Sequence, residues 1–455
     1  MTYAAGPRLS ELAESLEAGA TSSYELVEAC LARIDDEDGE GSRTFTEVDH
    51  DGALRAACAM DRLRSVNAAP SPFAGIPISI KDLFDIRGQV TRAGSTVLAD
   101  AAPADADAPA VERLRRMGFV LIGRTNMTEF AYSGLGLNPH YGTPANGWER
   151  ATRRIAGGSS SGAAISVLDG MAHGALGTDT GGSCRIPAAF NGLVGFKPTA
   201  ARVPLGGAVP LSKSLDSIGP IARSVGCCAI MDAILAGESV RALEDHSPKG
   251  LRFLVPTNIV FDDIDDTVAH TFDNALKALS AAGVSLERAK IPEFDDIAAI
   301  NAKGGFTAPE SFALHRPLLA AKRDGYDPRV AIRIARGEHV SAADYIDAIA
   351  LRAALIDKVR ARLATYDAMI LPTVPLVAPQ IADLDDDDAF TRINLLALRN
   401  PTLINMIDGC AISVPIHRPG DAPVGLMIAG PANADRRILG IAHGLEQLFS
   451  GQSSQ

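Results

Sequence analysis

The sequence predicts an α/β fold with a largely buried sheet, on two observations. Short apolar runs at 76–80 (IPISI), 118–123 (GFVLIG), 251–255 (LRFLV) and 368–371 (AMIL) have the length and bounding residues of buried strands. Between them lie longer stretches with apolar residues every three or four positions, the period of a helix with one buried face. The 455 residues are 47% apolar and 22% charged, an ordinary globular composition in a chain long enough to bury a large core.

Taken in order, residues 9–34 read as helical. Leu9, Leu12 and Leu16 share a face, and Ser22-x-x-Glu25 is a capping-box pattern ahead of Leu26, Val27, Cys30, Leu31 and Ile34. Residues 51–66 continue helically, and the strand Ile76 to Ile80 runs straight into Lys81. A helix at 107–117 precedes the strand at 118–123. The stretch 132–162 is rich in Gly, Asn, Pro and Ser with little periodicity, and structureless stretches of that length are usually functional or disordered. Residues 163–172 return to helix, and 174–207 is again Gly-rich. Further on, 267–282 and 343–365 read as helices around the strands at 251–255 and 368–371. Asp385 to Asp388 read as a solvated loop, since an unbroken acidic run lacks the spaced ligands of a calcium loop. No internal repeat and no Pro/Ser linker divides the chain.

Charge and cysteine usage exclude several classes. With 43 Lys+Arg against 55 Asp+Glu the net charge is −12, which argues against a general nucleic-acid binder. Six scattered cysteines, with no C-x-x-C pair and no tight Cys/His cluster, argue against a structural zinc site and for a reducing compartment. No apolar signal segment opens the chain and no run of about 18 apolar residues occurs, so a soluble cytoplasmic protein is expected.

Three segments can carry chemistry. In Gly75-Ile76-Pro77-Ile78-Ser79-Ile80-Lys81-Asp82 a lysine ends an apolar strand. Such a lysine either snorkels outward or, if buried, loses its proton more readily and serves as a base. Gly157-Gly158-Ser159-Ser160-Ser161-Gly162 is either a helix cap or, by its G-x-S-x-G pattern, a nucleophile elbow at Ser160. The elbow requires a buried strand just before it, and 149–156 (ERATRRIA) is none. Gly177 to Arg185 (GTDTGGSCR) sets small residues before Ser183, where backbone N–H groups can converge on one point as an oxyanion hole requires. A serine nucleophile needs a base. None of the nine histidines, His140 and His173 included, sits in a suitable motif, and S-x-x-K is absent, so a relay of two serines and Lys81 from separate loops remains.

Together GIPISIKD, GGSSSGAA and GTDTGGSCRIPAAFNGLVGFKPT, with a Ser159 to Ser183 spacing of 24, resemble the amidase signature family. Arg124 to Phe130, Ser214 to Pro220, Ile370 to Pro375 and Pro423 to Leu426 extend the resemblance over roughly residues 5–447. It implies an α/β fold of amidase-signature type, a mixed central β-sheet covered by helices. The whole chain, 1–455, would be one amidase domain, with an N-terminal helical segment, about 1–66, packed on the core. By resemblance Ser183 is the nucleophile, Ser159 the bridging serine after a cis peptide bond, and Lys81 the terminal base. The backbone N–H groups of Thr180, Gly181, Gly182 and Ser183 form the oxyanion hole, and Ala131 and Tyr132 line the substrate pocket with Ser159. Arg185 and Asp179 brace the loop, unless Arg185 contacts an anionic substrate. Ser161, Cys184 and Met427 stand where relatives often carry Gly, Ile or Val, and Gln; Cys184 reads as a small buried hydrophobe. The expected chemistry is hydrolysis of a carboxylic amide to acid plus ammonia or amine, with no metal and no organic cofactor. Its partner is a small-molecule amide, not nucleic acid or membrane, and the family allows a homodimer. The alternative is a glutaminase subunit of a tRNA-dependent amidotransferase; the intact set Lys81, Ser159 and Ser183 disfavours a catalytically silent binding protein.

Overall fold

A computed structural model describes residues 6–244 and 246–452. Its centre is one mixed sheet of eleven strands among the described residues. In chain order these are β1 Phe45–Val48, β2 Pro77–Lys81, β3 Val120–Thr125, β4 Ala175–Asp179, β5 Val194–Lys197, β6 Ser217–Ala222, β7 Arg252–Pro256, β8 Ser285–Ala289, β9 Ala368–Pro372, β10 Cys410–Pro415 and β11 Gly425–Gly430. Their order across the sheet is β1-β3-β2-β4-β6-β5-β10-β11-β9-β7-β8. β2 pairs in parallel with both β3 and β4, and β7 with both β8 and β9; the remaining pairs are antiparallel. Every residue of β2, β4, β6, β9, β10 and β11 is buried, as strands covered on both faces require.

The expected elements lie close to where the sequence places them. The 9–34 stretch is two helices, Leu9–Glu17 and Ser23–Ile34. Ser22 Oγ accepts from Glu25 N–H (3.1 Å) while Ser22 N–H donates to Glu25 Oε2 (2.8 Å), the reciprocal bonds of a capping box. Leu9, Leu12 and Leu16 enter the main core, and Val27, Cys30, Leu31 and Ile34 join Val120 and Ile122 of β3 in a smaller one. One reading is corrected. Asp385 to Asp388 are exposed, but they open a helix, Asp387–Met406, where Asp386 caps Ala389 N–H at 2.8 Å and the run faces the positive end of the helix dipole. The Gly-rich stretch 174–207 holds β4, the helix Arg185–Phe190 and β5. No helix among the described residues is long and apolar enough to cross a membrane.

Because β2 and β4 are parallel neighbours, their carboxyl ends open at the same edge of the sheet. Lys81 ends the first strand, and the loop that carries Ser183 leaves the second. Crevices outside the carboxyl ends of strands are where α/β sheets bind ligands.

Candidate active site

Side chains alternate along β2, so Ser79 and Lys81 share one face while Ile78 and Ile80 point to the other. The polar face lies beneath the helix Ser161–Leu168, where the Ser79 and Ser166 hydroxyls are 2.8 Å apart. One step on, Lys81 Nζ lies 2.7 Å from Ser159 Oγ and 2.8 Å from Thr178 Oγ1. Lys81 is wholly buried, and its neighbours are hydroxyls rather than a carboxylate. Burial disfavours the ammonium and pulls its pKa down to about 8, against the weaker opposing pull of Cys184, Asp179 and Asp216. Asp82, next in sequence, is turned away and paired to Arg124 Nε at 2.7 Å.

Ser159 follows a cis peptide bond from Gly158. Its carbonyl accepts from Thr128 N–H (3.1 Å). Ser160 is fully buried and donates to the Thr178 carbonyl (3.4 Å), so the G-x-S-x-G pattern serves a helix start and not an exposed elbow.

The loop after β4 is built around Asp179. Its carboxylate accepts from Gly182 N–H (2.8 Å), Cys184 N–H (3.2 Å), Asn405 Nδ2 (3.0 Å) and two guanidinium nitrogens of Arg185 (3.0 and 2.8 Å). Burial alone would raise the Asp179 pKa; the Arg185 charge and these hydrogen bonds reverse that and hold it well below the usual carboxylate range. Arg185 is also fully buried. It donates further to Asn405 Oδ1 (2.7 Å), the Pro401 carbonyl (3.0 Å) and Met427 Sδ (3.1 Å). All five of its N–H groups are therefore spent inside the chain, so Arg185 braces the loop and does not reach a substrate. Met427 stands at one of those five contacts.

Gly182 has φ +126°, and a Cβ there would lie 2.5 Å from Pro401 Cβ and 2.7 Å from Ile186 Cδ1, so the turn admits only glycine. Gly182 N–H is already engaged by Asp179, so it is less free than its neighbours to donate to an oxyanion. Of the four expected amides, Gly182 N–H is thus the one bonded within the loop. Ser183 itself is 3% exposed. Cys184 is buried beside it with its thiol toward the Gly219 carbonyl (3.5 Å), and burial pushes that thiol far above the ordinary range.

A cavity of about 480 Å³ opens beside Thr178 and Thr180. Leu83, Ala131, Leu205, Val209 and Leu314 form its apolar walls. Ala131 thus lines it. Tyr132 is directed instead toward Thr307 and Ser311, whose hydrogen bonds partly offset the burial that raises its phenol pKa. Phe130 (φ +49°) and Ala131 (φ +61°) hold the left-handed backbone that non-glycine residues rarely adopt. Buried Glu129 pins this turn, accepting from Ser95 Oγ (2.6 Å) and Asp327 N–H (2.8 Å) and lying 2.9 Å from His140 Nε2. Asp216, also at the cavity, accepts from Thr180 Oγ1 and from the Leu211 and Ser212 N–H groups, and burial lifts its pKa to about 6 against those bonds. Among the described residues no group of three or more His, Cys, Asp or Glu is placed to hold a metal ion.

Sequence reasoning missed Thr178, Asp216 and Asn405. Thr178 had a signal, since it alternates with Gly177 and Asp179 on β4, next to the loop that carries Ser183. Asn405 had none, because it reaches Asp179 across more than two hundred residues.

A model of the amidase family matches residues 25–439. The chain belongs to the amidase family. It is an enzyme of amide C–N bonds, and the resemblance seen in the motifs holds across most of its length. This amidase is 38% identical over 407 aligned residues to 2-amino-5-chloromuconic acid deaminase of Comamonas testosteroni, covering 87% of this chain and 86% of that protein. It is 33% identical to the A chain of the glutamyl-tRNA(Gln) amidotransferase of Chromohalobacter salexigens, covering 96% of each. A crystal structure of an amidase superposes with a TM-score of 0.88 at 32% identity, over 97% of this chain and 100% of that one. A bacterial aryl acylamidase of the amidase signature shares the fold, with a TM-score of 0.86 at 22% identity.

Proposed function

We propose that this amidase hydrolyses a carboxylic amide to the acid and ammonia or an amine through an acyl-enzyme on Ser183. The observation that carries this reading is the 2.7 Å contact between Lys81 Nζ and Ser159 Oγ in a fully buried setting. A neutral amine there accepts the Ser159 proton while donating to Thr178. Ser159 in turn takes the proton of Ser183 as Ser183 Oγ attacks the amide carbonyl. The Thr180, Gly181 and Ser183 N–H groups stabilise the oxyanion. Ser159 returns the proton to the leaving nitrogen, and water, activated by the same relay, releases the acid. The substrate enters by the cavity beside Thr178 and Thr180, against Ala131.

Six free cysteines among the described residues accord with work in the reducing cytoplasm. A fluorophosphonate probe followed by peptide mapping tests the assignment. The label is expected on Ser183 and absent from a folded Ser183→Ala protein, whose turnover should fall by ~10⁴–10⁶-fold. Label on Ser160 or Cys184 would overturn it.

A second reading has its own support, the near full-length similarity to the A chains of glutamyl-tRNA(Gln) amidotransferases. Under it the same site releases ammonia from glutamine for a partner chain. Co-purification with other chains, and glutamine as the preferred amide, would favour that role over a free-standing amidase.

A further inference from the structure

The cavity beside Thr178 and Thr180 carries two charged groups on its lining, Asp216 and Lys213, and they differ in how far their charge is used. Asp216 is buried and saturated by the Thr180 hydroxyl and the Leu211 and Ser212 amides. Lys213 is exposed and makes no ion pair or hydrogen bond among the described residues. Its position is nonetheless fixed. Ser212 Oγ and Ser214 N–H, on either side of it, both donate to Glu310 Oε2 (3.0 Å each), and Leu215 and Asp216 N–H both return to the Ser212 carbonyl (3.0 and 2.8 Å). Glu310 is in turn held by Tyr345 OH (2.8 Å). Both nearby carboxylates are thus bonded to neutral donors, and neither pairs directly with Lys213. A pinned turn offers one unpaired ammonium to a pocket whose lining is otherwise mainly aliphatic, with Thr178, Thr180 and Asp216 as its polar members and no aromatic ring.

We infer that Lys213 selects the substrate, an aliphatic amide whose far end bears a carboxylate, such as the monoamide of a dicarboxylic acid. This rests on the cavity being the acyl site of the proposed reaction. The acyl chain lies along Leu83, Leu205, Val209 and Leu314, where burial of methylenes favours it. The carboxylate meets Lys213 in a charge-assisted hydrogen bond. The amide end reaches the Thr180–Ser183 loop.

The test compares kcat/KM for succinamic, glutaramic and adipamic acids with butyramide, valeramide and hexanamide. The unaltered enzyme is expected to favour the acid of each pair. Lys213→Met should reduce that preference by ~10–100-fold, chiefly through KM, the scale of a hydrogen bond to a charged group. Lys213→Arg should restore most of it, and Lys213→Glu should invert it. A preference unchanged in Lys213→Met, with amides still hydrolysed through Ser183, overturns the inference alone. Binding gives a readout without turnover. Glutarate should bind more tightly than valerate by calorimetry, and Lys213→Met should abolish the difference. Glutarate discrimination lost in Lys213→Met in a protein that labels on a residue other than Ser183 would leave Lys213 standing and remove the catalytic reading. Equal binding of glutarate and valerate by the unaltered protein overturns the role of Lys213.

Discussion

Thr128 N–H donates to the Ser159 carbonyl at 3.1 Å, so the strained turn that presents Ala131 to the cavity is tied to the residue touching Lys81. The proposed proton relay and one wall of the pocket are therefore positioned together. A change that shifts either should alter both KM and kcat, because misplacement by a fraction of an ångström already weakens catalysis.

The pH dependence should follow Lys81. An ammonium accepts no proton, and the Lys81 pKa lies near 8, so kcat/KM should rise between pH 6 and 9 along one ionisation and level off above it. Lys81→Met should lose most turnover. Lys81→Arg should do no better, since guanidinium stays protonated. An active Lys81→Arg enzyme would remove the relay.

The same residue should leave a mark on stability. Unfolded, Lys81 holds its proton up to about its ordinary 10.5; folded, only to about 8. Between those values the unfolded chain binds more protons, so the penalty for burying Lys81 is full below pH 8 and fades as pH rises toward 10.5. Relative to wild type, Lys81→Met should gain most in Tm at pH 7, and the gain should shrink by pH 10. A difference in Tm that stays constant across that range contradicts the assignment.

Asp179→Ala should be severe. It leaves Arg185 wholly buried without its carboxylate, a loss on the order of 3–5 kcal/mol, readable as a lower urea midpoint.

Met427 offers a finer test. Met427→Leu removes one of the five acceptors of Arg185 and should cost about 1–3 kcal/mol, as an unsatisfied buried N–H does. Met427→Gln supplies a better acceptor and should match or exceed wild-type stability in the same urea titration.

Gly182→Ala should disrupt function more than folding. The turn must move to relieve the 2.5 Å approach to Pro401, and with it the amides on either side. Turnover should fall by at least ~10²-fold, the scale of losing an oxyanion donor, while circular dichroism stays native.

Much of this architecture is legible in the sequence. The β2 run ending in Lys81 reads as a buried strand because it is short, apolar and bounded by turn residues. Its alternation of Ser79 and Lys81 with Ile78 and Ile80 already marks a polar stripe. The Ser22 capping box is local and needs only four residues to be read. The stretch 174–207 is harder. Its glycines, placed so that backbone can approach backbone, hide the strand periodicity of β4 and β5. Asp386 defeats a reading by composition, since an acidic run looks alike in a loop and at a helix start. The engagement of Gly182 N–H by Asp179 depends on a side-chain rotamer, and the contacts of Asn405 and Met427 on long-range packing; no local pattern encodes either.

The brace around Asp179 has a consequence for how the enzyme is born. Arg185 is held by Pro401, Asn405 and Met427, all from the last quarter of the chain. A ribosome that has translated only the first four hundred residues has made Lys81, Ser159 and Ser183, yet not the groups that fix the loop between Asp179 and Arg185. The loop between Asp179 and Arg185 therefore gains its full set of partners only once Met427 is in place.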